Sequence, residues 1–186
     1  MQMSKKKNDK PKSYKRKFYS NISQVMEDRE KIIRNTEKHI NELMDNSIGI
    51  EFMRKLKFYS STGYDPLFEE EMNFGEQINQ IWTYMVCLVA VEQLMNDFPE
   101  KKFWVSFGDE NGYDVESEDG SVVCECFATT NPKNNGKLND DTKKLSNNNV
   151  AKYKYIIFYA QNREEVFVQS RRKKYPDIFI RELETI

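Results

Sequence analysis

Residues 112–128 read GYDVESEDGSVVCECFA, and the fold turns on how this stretch reverses direction. Asp119-Gly120 separates two strand-like runs, the strongest short-range signal of a β-hairpin. With Asp119-Gly120 as a two-residue loop, Glu118 pairs with Ser121, Glu116 faces Val123 and Asp114 faces Glu125. Opposed residues share one face of the sheet, with Cβ atoms roughly 4.5–5.5 Å apart. Two carboxylates placed that way repel unless one is protonated or a cation lies between them. Glu125 also stands inside VVCECFA (122–128), a run composed for burial on both faces, where a bare charge is costly. It therefore either faces water or has a cation. Val123 and Phe127 on its own face favour the cation, and an Asp and a Glu at this separation can share a hard divalent ion with oxygen ligands and water. Register decides the matter, because a one-residue slip sends the two acids to opposite faces.

Outward from the hairpin, KFWVSF (102–107) reads as a preceding strand, giving a three-strand meander. The loop TTNPKNNG (129–136) offers polar caps to a helix over 137–146 carrying Leu138 and Leu145. KYIIFYA (154–160) has the β-branched and aromatic content of an inner strand. The helix between makes a crossover that can return this strand parallel. EEVFVQS (164–170) reads as strand or helix, with strand preferred, and 176–184 as either. Ahead of the meander a long apolar helix covers 74–98 and stops at Pro99. Helical spacing also runs from 20 to 44, with Asn21 or Ser23 as cap, and more weakly over 50–58, before a loop at 60–66.

The chain has 186 residues, which suits one domain, and 13% aromatic content supplies a sizeable core. Three parts are expected: a basic disordered tail (1–18), an N-terminal helical segment (19–73) and an α/β core (74–186). The net charge of −1 conceals segregation, since eight Lys or Arg and one acid fall between Lys5 and Lys17. A second basic cluster is Arg171, Arg172, Lys173 and Lys174, and acids gather at 69–71 and 109–119. This pattern fits either a polyanion-binding surface around an acidic centre or a solvated tail. No stretch is apolar enough to span a bilayer and no signal-peptide core follows the lysine-rich start. Three cysteines without framework spacing point to reduced thiols and a cytoplasmic location. Cys124, Cys126 and the lone His39 form no zinc set.

At Asp114 and Glu125 the sequence resembles the PD-(D/E)xK nuclease superfamily, the restriction-endonuclease-like fold. That family has a core of helix, three-strand meander, helix and strand, with an acid on the second core strand and an (Asp/Glu)-x-Lys triplet on the third. The resemblance covers roughly residues 74–160 and implies an α/β protein with a mixed β-sheet flanked by helices. It also implies a metal-dependent DNA endonuclease, type II restriction-like, using Mg2+ with Mn2+ as substitute. Asp114 and Glu125 would be the metal ligands, joined by an acid of the preceding helix, Glu76 rather than Glu92. The triplet's lysine position is Phe127, a departure from the family. In some members that lysine migrates to the following helix, which makes Lys137 the candidate and Lys133 the second choice. Lys133, Asn134 and Asn135 of the loop, with Arg171, Arg172, Lys173 and Lys174, would contact nucleic acid. A homodimer is expected, as symmetric pairs are the default oligomer. If no lysine reaches the acids, the alternative is a non-catalytic DNA-binding or interaction module on the same scaffold.

Overall fold

The computed structural model describes residues 15–46, 48–108, 112–133 and 136–186. The first half contains β1 (Arg16–Tyr19), α1 (Ile22–Asp45), α2 (Gly49–Phe58), the short β2 (Gly63–Tyr64) and β3 (Glu71–Met72), and α3 (Phe74–Asp97). The second half contains β4 (Phe103–Ser106), β5 (Val115–Ser117), β6 (Val122–Thr129), α4 (Lys137–Ser146), β7 (Tyr153–Ala160), α5 (Glu165–Lys174) and β8 (Ile178–Leu183). Six strands form one mixed sheet in the order β1-β4-β5-β6-β7-β8, while β2 and β3 make a separate small ribbon. The α/β class is thus established, with five helices among the described residues.

The hairpin has the register expected from the sequence. Val115 lies opposite Cys124 and Glu116 opposite Val123. The reversal itself differs from a two-residue loop. Gly120 N–H donates to Ser117 O at 2.8 Å, so Glu118 and Asp119 form the turn's centre and Gly120 follows at φ +69°, a conformation that favours glycine. The Asp119 carboxylate accepts from Ser117 Oγ (2.7 Å), Ser121 N (3.1 Å) and Ser121 Oγ (2.8 Å). Lys101 neutralises it at 2.7 Å. Either closure leaves the same residues facing, so the pairing is unchanged.

β6 is central and covered on both faces. Val122, Cys124 and Cys126 pack with Tyr84, Leu88 and Val91 of α3. Val123 and Phe127 pack with Leu138 and Leu145 of α4, Ile156 and Phe158 of β7, and Val168 of α5. β7 runs parallel to β6 and β8 parallel to β7. Two parallel steps need two crossovers, which α4 and α5 supply. The strand preferred over 164–170 is therefore corrected to helix: α5 buries Val168 and leaves Val166 exposed. Residues 176–184, open to either reading, hold β8. The start of α4 also differs, since Gly136 at φ +71° precedes it without a side-chain cap. On α1 the cap is Asn21, accepting from Gln24 N–H at 3.1 Å.

Residues 1–14 of the expected tail lie outside the described residues, while its last residues and the helical segment join the sheet and its core. Residues 16–19 form an edge strand against β4, with Arg16 opposite Ser106 and Tyr19 opposite Phe103. Each cation there has an acid: Lys15 pairs with Asp65 at 2.6 Å, Arg16 with Glu116 at 3.3 Å and Lys17 with Asp28 at 2.6 Å. Val25 and Ile32 of α1 and Leu67 share one apolar cluster with α3 and the sheet, so 19–73 belongs to the same core as 74–186.

Asp65, fully buried, ties the loop before α3 to that core. Its carboxylate accepts from Tyr84 OH (2.9 Å) and from the amides of Leu67 and Phe68 (both 3.0 Å), besides its ion pair with Lys15. The Tyr84 hydroxyl keeps Gln80 Oε1 at 2.9 Å, but Asp65→Ala strands both amides. It is expected to lower stability by about 3–5 kcal/mol, read as a shift of the urea midpoint; a change below about 1 kcal/mol would show that water replaces the carboxylate freely.

Candidate functional site

Glu125 is only 1% exposed. On a strand whose even-numbered neighbours face α3, its side chain points to the α4 face, as do Val123 and Phe127. It has a cation: Lys144 Nζ lies 2.5 Å from Glu125 Oε1. The same ammonium donates to Gly112 O and lies 5.1 Å from the centroid of the Tyr113 ring. Asp114 stands just before β5, directly across from Glu125 in the continuing register. Its Oδ2 accepts from Cys126 N–H at 2.7 Å, and its carboxyl group is near enough to repel that of Glu125. The facing acids anticipated from the hairpin do meet.

One face of α4 completes the cluster, because positions i, i+4 and i+7 align on a helix. Lys137, Asp141 and Lys144 occupy those positions, with Lys137 Nζ 2.9 Å from Asp141 Oδ1. Asp141 is 3% exposed. Leu138, Thr142 and Leu145 turn inward and fix the helix's rotation. Asn148 Nδ2, just beyond α4, donates to Tyr113 OH at 2.8 Å and straps the entry of β5 to the helix. Three carboxyl groups and two ammonium groups thus share one partly enclosed volume.

The electrostatics follow from this crowding. Burial, and then repulsion from Asp114, push the Glu125 carboxyl up to about 8 despite Lys144. Burial likewise raises Asp141 to about 6 against the pull of Lys137. Asp114 is raised by desolvation, opposed by the Cys126 amide and by both lysines. Lys137 loses water too, yet the Asp141 carboxylate more than offsets this and holds its proton tighter than usual. Carboxyl groups forced toward their neutral form next to ammonium groups are characteristic of sites awaiting charge or performing acid–base work.

The remaining candidates disperse. Lys137 is at the cluster, but its direct partner is Asp141, and the lysine touching Glu125 is Lys144. Glu76 is corrected: it is exposed in the first turn of α3, a helix that covers the opposite face of the sheet from Glu125. Glu92 pairs with Arg29 at 2.8 Å. Lys133 is exposed, its amide donating to Asn131 Oδ1. Asn134 and Asn135 lie outside the described residues. In the basic cluster at the end of α5, Arg172 donates twice to Ile180 O and Arg171 stacks on Phe167, whereas Lys173 and Lys174 are exposed. His39 accepts no role at the acids; its ring bonds Thr62 O and stacks on Tyr64. Sequence reasoning missed Lys144, Asp141 and Tyr113. The helical phase of 137, 141 and 144 was the signal that could have found the first two.

Phe127, at the position of the missing triplet lysine, stacks on Phe158 with centroids 5.0 Å apart and planes at 11°. It is committed to the core. Asp141 Oδ2 is buried and lacks a hydrogen-bond partner, whereas the buried Glu125 Oε1 is met by the Lys144 ammonium. Such oxygens suit a hard cation. Among the described residues no set of three or more His, Cys, Asp or Glu is grouped to hold a metal, so an ion held by Asp114 and Glu125 would draw further ligands from water or substrate. No protein-family model matches the chain, and comparison with curated proteins finds no significant match.

A buried carboxyl with a raised pKa favours the folded state when protonated and loses that advantage as pH rises through the folded value. Stability should therefore fall between pH 4.5 and about 8 through Glu125, with Asp141 adding to the fall up to about pH 6. In Glu125→Gln the decline toward pH 8 should flatten, a difference on the order of a few kcal/mol. Urea unfolding over this pH series checks it, and parallel wild-type and variant curves would refute the assignment.

Proposed function

We propose that this protein is a metal-dependent DNA endonuclease of the PD-(D/E)xK type, built on a restriction-endonuclease-like sheet. One observation carries the reading: Asp114 and Glu125 face each other on neighbouring strands in a buried setting, and the next helix brings Lys144 onto Glu125. The order α3-β4-β5-β6-α4-β7, with an antiparallel meander and a parallel fourth strand, supports it.

Asp114 and Glu125 would hold Mg2+, or Mn2+ in its place. Bound there, the ion would supply Lewis-acid polarisation of the phosphoryl oxygen and a more acidic water. The chain's own groups do the rest. Lys144, 44% exposed and already at the acids, replaces the lysine that Phe127 displaces, orienting the attacking water and stabilising negative charge on phosphorus. Lys137, 43% exposed on the same helix face, is placed to meet the adjacent phosphate. Lys133 and the exposed Lys173 and Lys174 add backbone contacts that weaken with salt. A second copy has apolar surface to use, since Ile50, Met53 and Phe58 of α2 and Ile33 of α1 are exposed. No helix among the described residues is long and apolar enough to cross a membrane.

A second reading has its own support. The Lys144–Glu125 pair also neutralises the buried carboxylate by itself, as a non-catalytic DNA-binding or interaction module on this scaffold would need.

Supercoiled plasmid incubated with protein and Mg2+ or Mn2+ separates the two. Nicking is expected, abolished by EDTA and by Asp114→Ala, and lowered roughly 10²–10³-fold in Lys144→Ala. Salt-sensitive DNA binding without nicking under either ion would establish the second reading, and nicking that survives Asp114→Ala would reject the site.

A further inference from the structure

A second concavity lies on the face of the sheet opposite the acid pair. It encloses about 580 Å3 between α3 and the C-terminal ends of β6 and β7. Along β6, Glu125 and Thr129 are separated by roughly 13 Å at strand rise. The walls are chemically mixed. Trp82 and Ile78 of α3 supply an apolar side, and both are nearly half exposed, at 48% and 46%. Asn79, Thr130, Gln161 and Glu184 supply polar groups. The floor is rigid, because the strand ladder continues past the formal strand ends: Gln161 N–H donates to Thr129 O at 3.1 Å and Asn162 N–H to Thr130 O at 2.9 Å. Tyr159 OH donates to Gln161 Oε1 at 3.2 Å and steadies that amide.

Size and composition narrow the ligand. Cavities of a few hundred Å3 with one apolar wall and a few convergent polar groups suit flat, heteroatom-edged rings. An indole left half in water is a stacking platform, and stacking tolerates any base because each has a π-face. Two carboxamides and a hydroxyl offer donors and acceptors to a base edge, and Glu184 accepts from an exocyclic amino group. Glu184 also disfavours a phosphate in the cavity, although Arg163 lies 3.9 Å from it and marks a cationic rim.

The geometry points to a nucleobase pocket: an unpaired base of a single strand enters between Trp82 and the ends of β6 and β7 while its backbone runs toward the acid pair. This rests on the nucleic-acid partner proposed above and adds a recognition element on the far face of β6. The base stacks on Trp82, and Asn79, Gln161 and Glu184 meet its edge.

Binding can be read without any cleavage. Trp104→Phe leaves Trp82 as the sole tryptophan, so emission reports on the pocket. Titration with a short single-stranded DNA in EDTA should quench it, and the same oligonucleotide with an abasic central position should bind roughly ten-fold more weakly. Affinity followed by anisotropy of a labelled strand should fall roughly ten-fold in Trp82→Ala and recover in Trp82→Phe. Absence of quenching, or equal affinity of Trp82→Ala, overturns the pocket. Quenching by nucleoside monophosphates but not by the strand overturns the strand assignment and leaves a free-nucleotide site. Quenching of the Trp104→Phe protein in EDTA and Mg2+-dependent nicking by the parent protein keep the two claims apart: quenching without nicking removes the endonuclease and keeps the pocket, and nicking without quenching does the reverse.

Discussion

A carboxylate in the middle of the central strand is the constraint around which this molecule is arranged. Glu125 has a covered strand on either side and helices on both faces, so its charge has to be met from within the protein. Lys144 meets it at 2.5 Å, and the consequence spreads through the site. For Lys144 to reach, α4 must dock with one rotation, which Leu138 and Leu145 enforce from its other side. The same ammonium holds Gly112 O, so the approach to β5 is drawn over the acids. Asp114, bonded to the Cys126 amide, then has one place to be. Removing one partner of a buried pair leaves an uncompensated charge, so the arrangement is cooperative rather than a set of independent contacts.

The polar groups of the first half play a related part. Asp28 of α1 accepts from Tyr19 OH at 2.6 Å and from Lys17, and burial beside that carboxylate raises the Tyr19 hydroxyl far above its usual range. Asp65 binds Lys15, Tyr84 and two amides. The two acids bind Lys17 within β1 and Lys15 just before it, fastening a strand half of whose residues are charged. Apolar packing alone would not have held it, because only Tyr19 of the four strand residues is buried.

What was legible in the sequence was what local rules govern. The register of 114–125 followed from turn chemistry and alternation, and it survived a different turn because the residues outward of Ser117 and Val122 face each other in either closure. The limits of 137–146 and the parallel β7 followed from periodicity and the need for a crossover. Tertiary context decided the rest. VFV at 166–168 has strand composition, yet the parallel β8 demanded a helix there. Residues 16–18 read as a solvated tail because their acid partners, Asp28, Asp65 and Glu116, lie elsewhere in the chain. Lys137 drew attention as the first residue of its helix, whereas helical rotation places Lys144 over Glu125. Glu76 failed for a topological reason, since α3 covers the face of β6 from which Glu125 points away.

The edge strand β1 also bears on how the chain is made. It precedes every other described element, but its sheet partner, β4, follows three helices. Until the ribosome has delivered β4, the KRKF stretch has no ladder to join. Its cations keep it soluble and discourage pairing with a stranger in the meantime, as charged edge residues do. Closure of the sheet on this side therefore waits for β4, with a long loop to be gathered first.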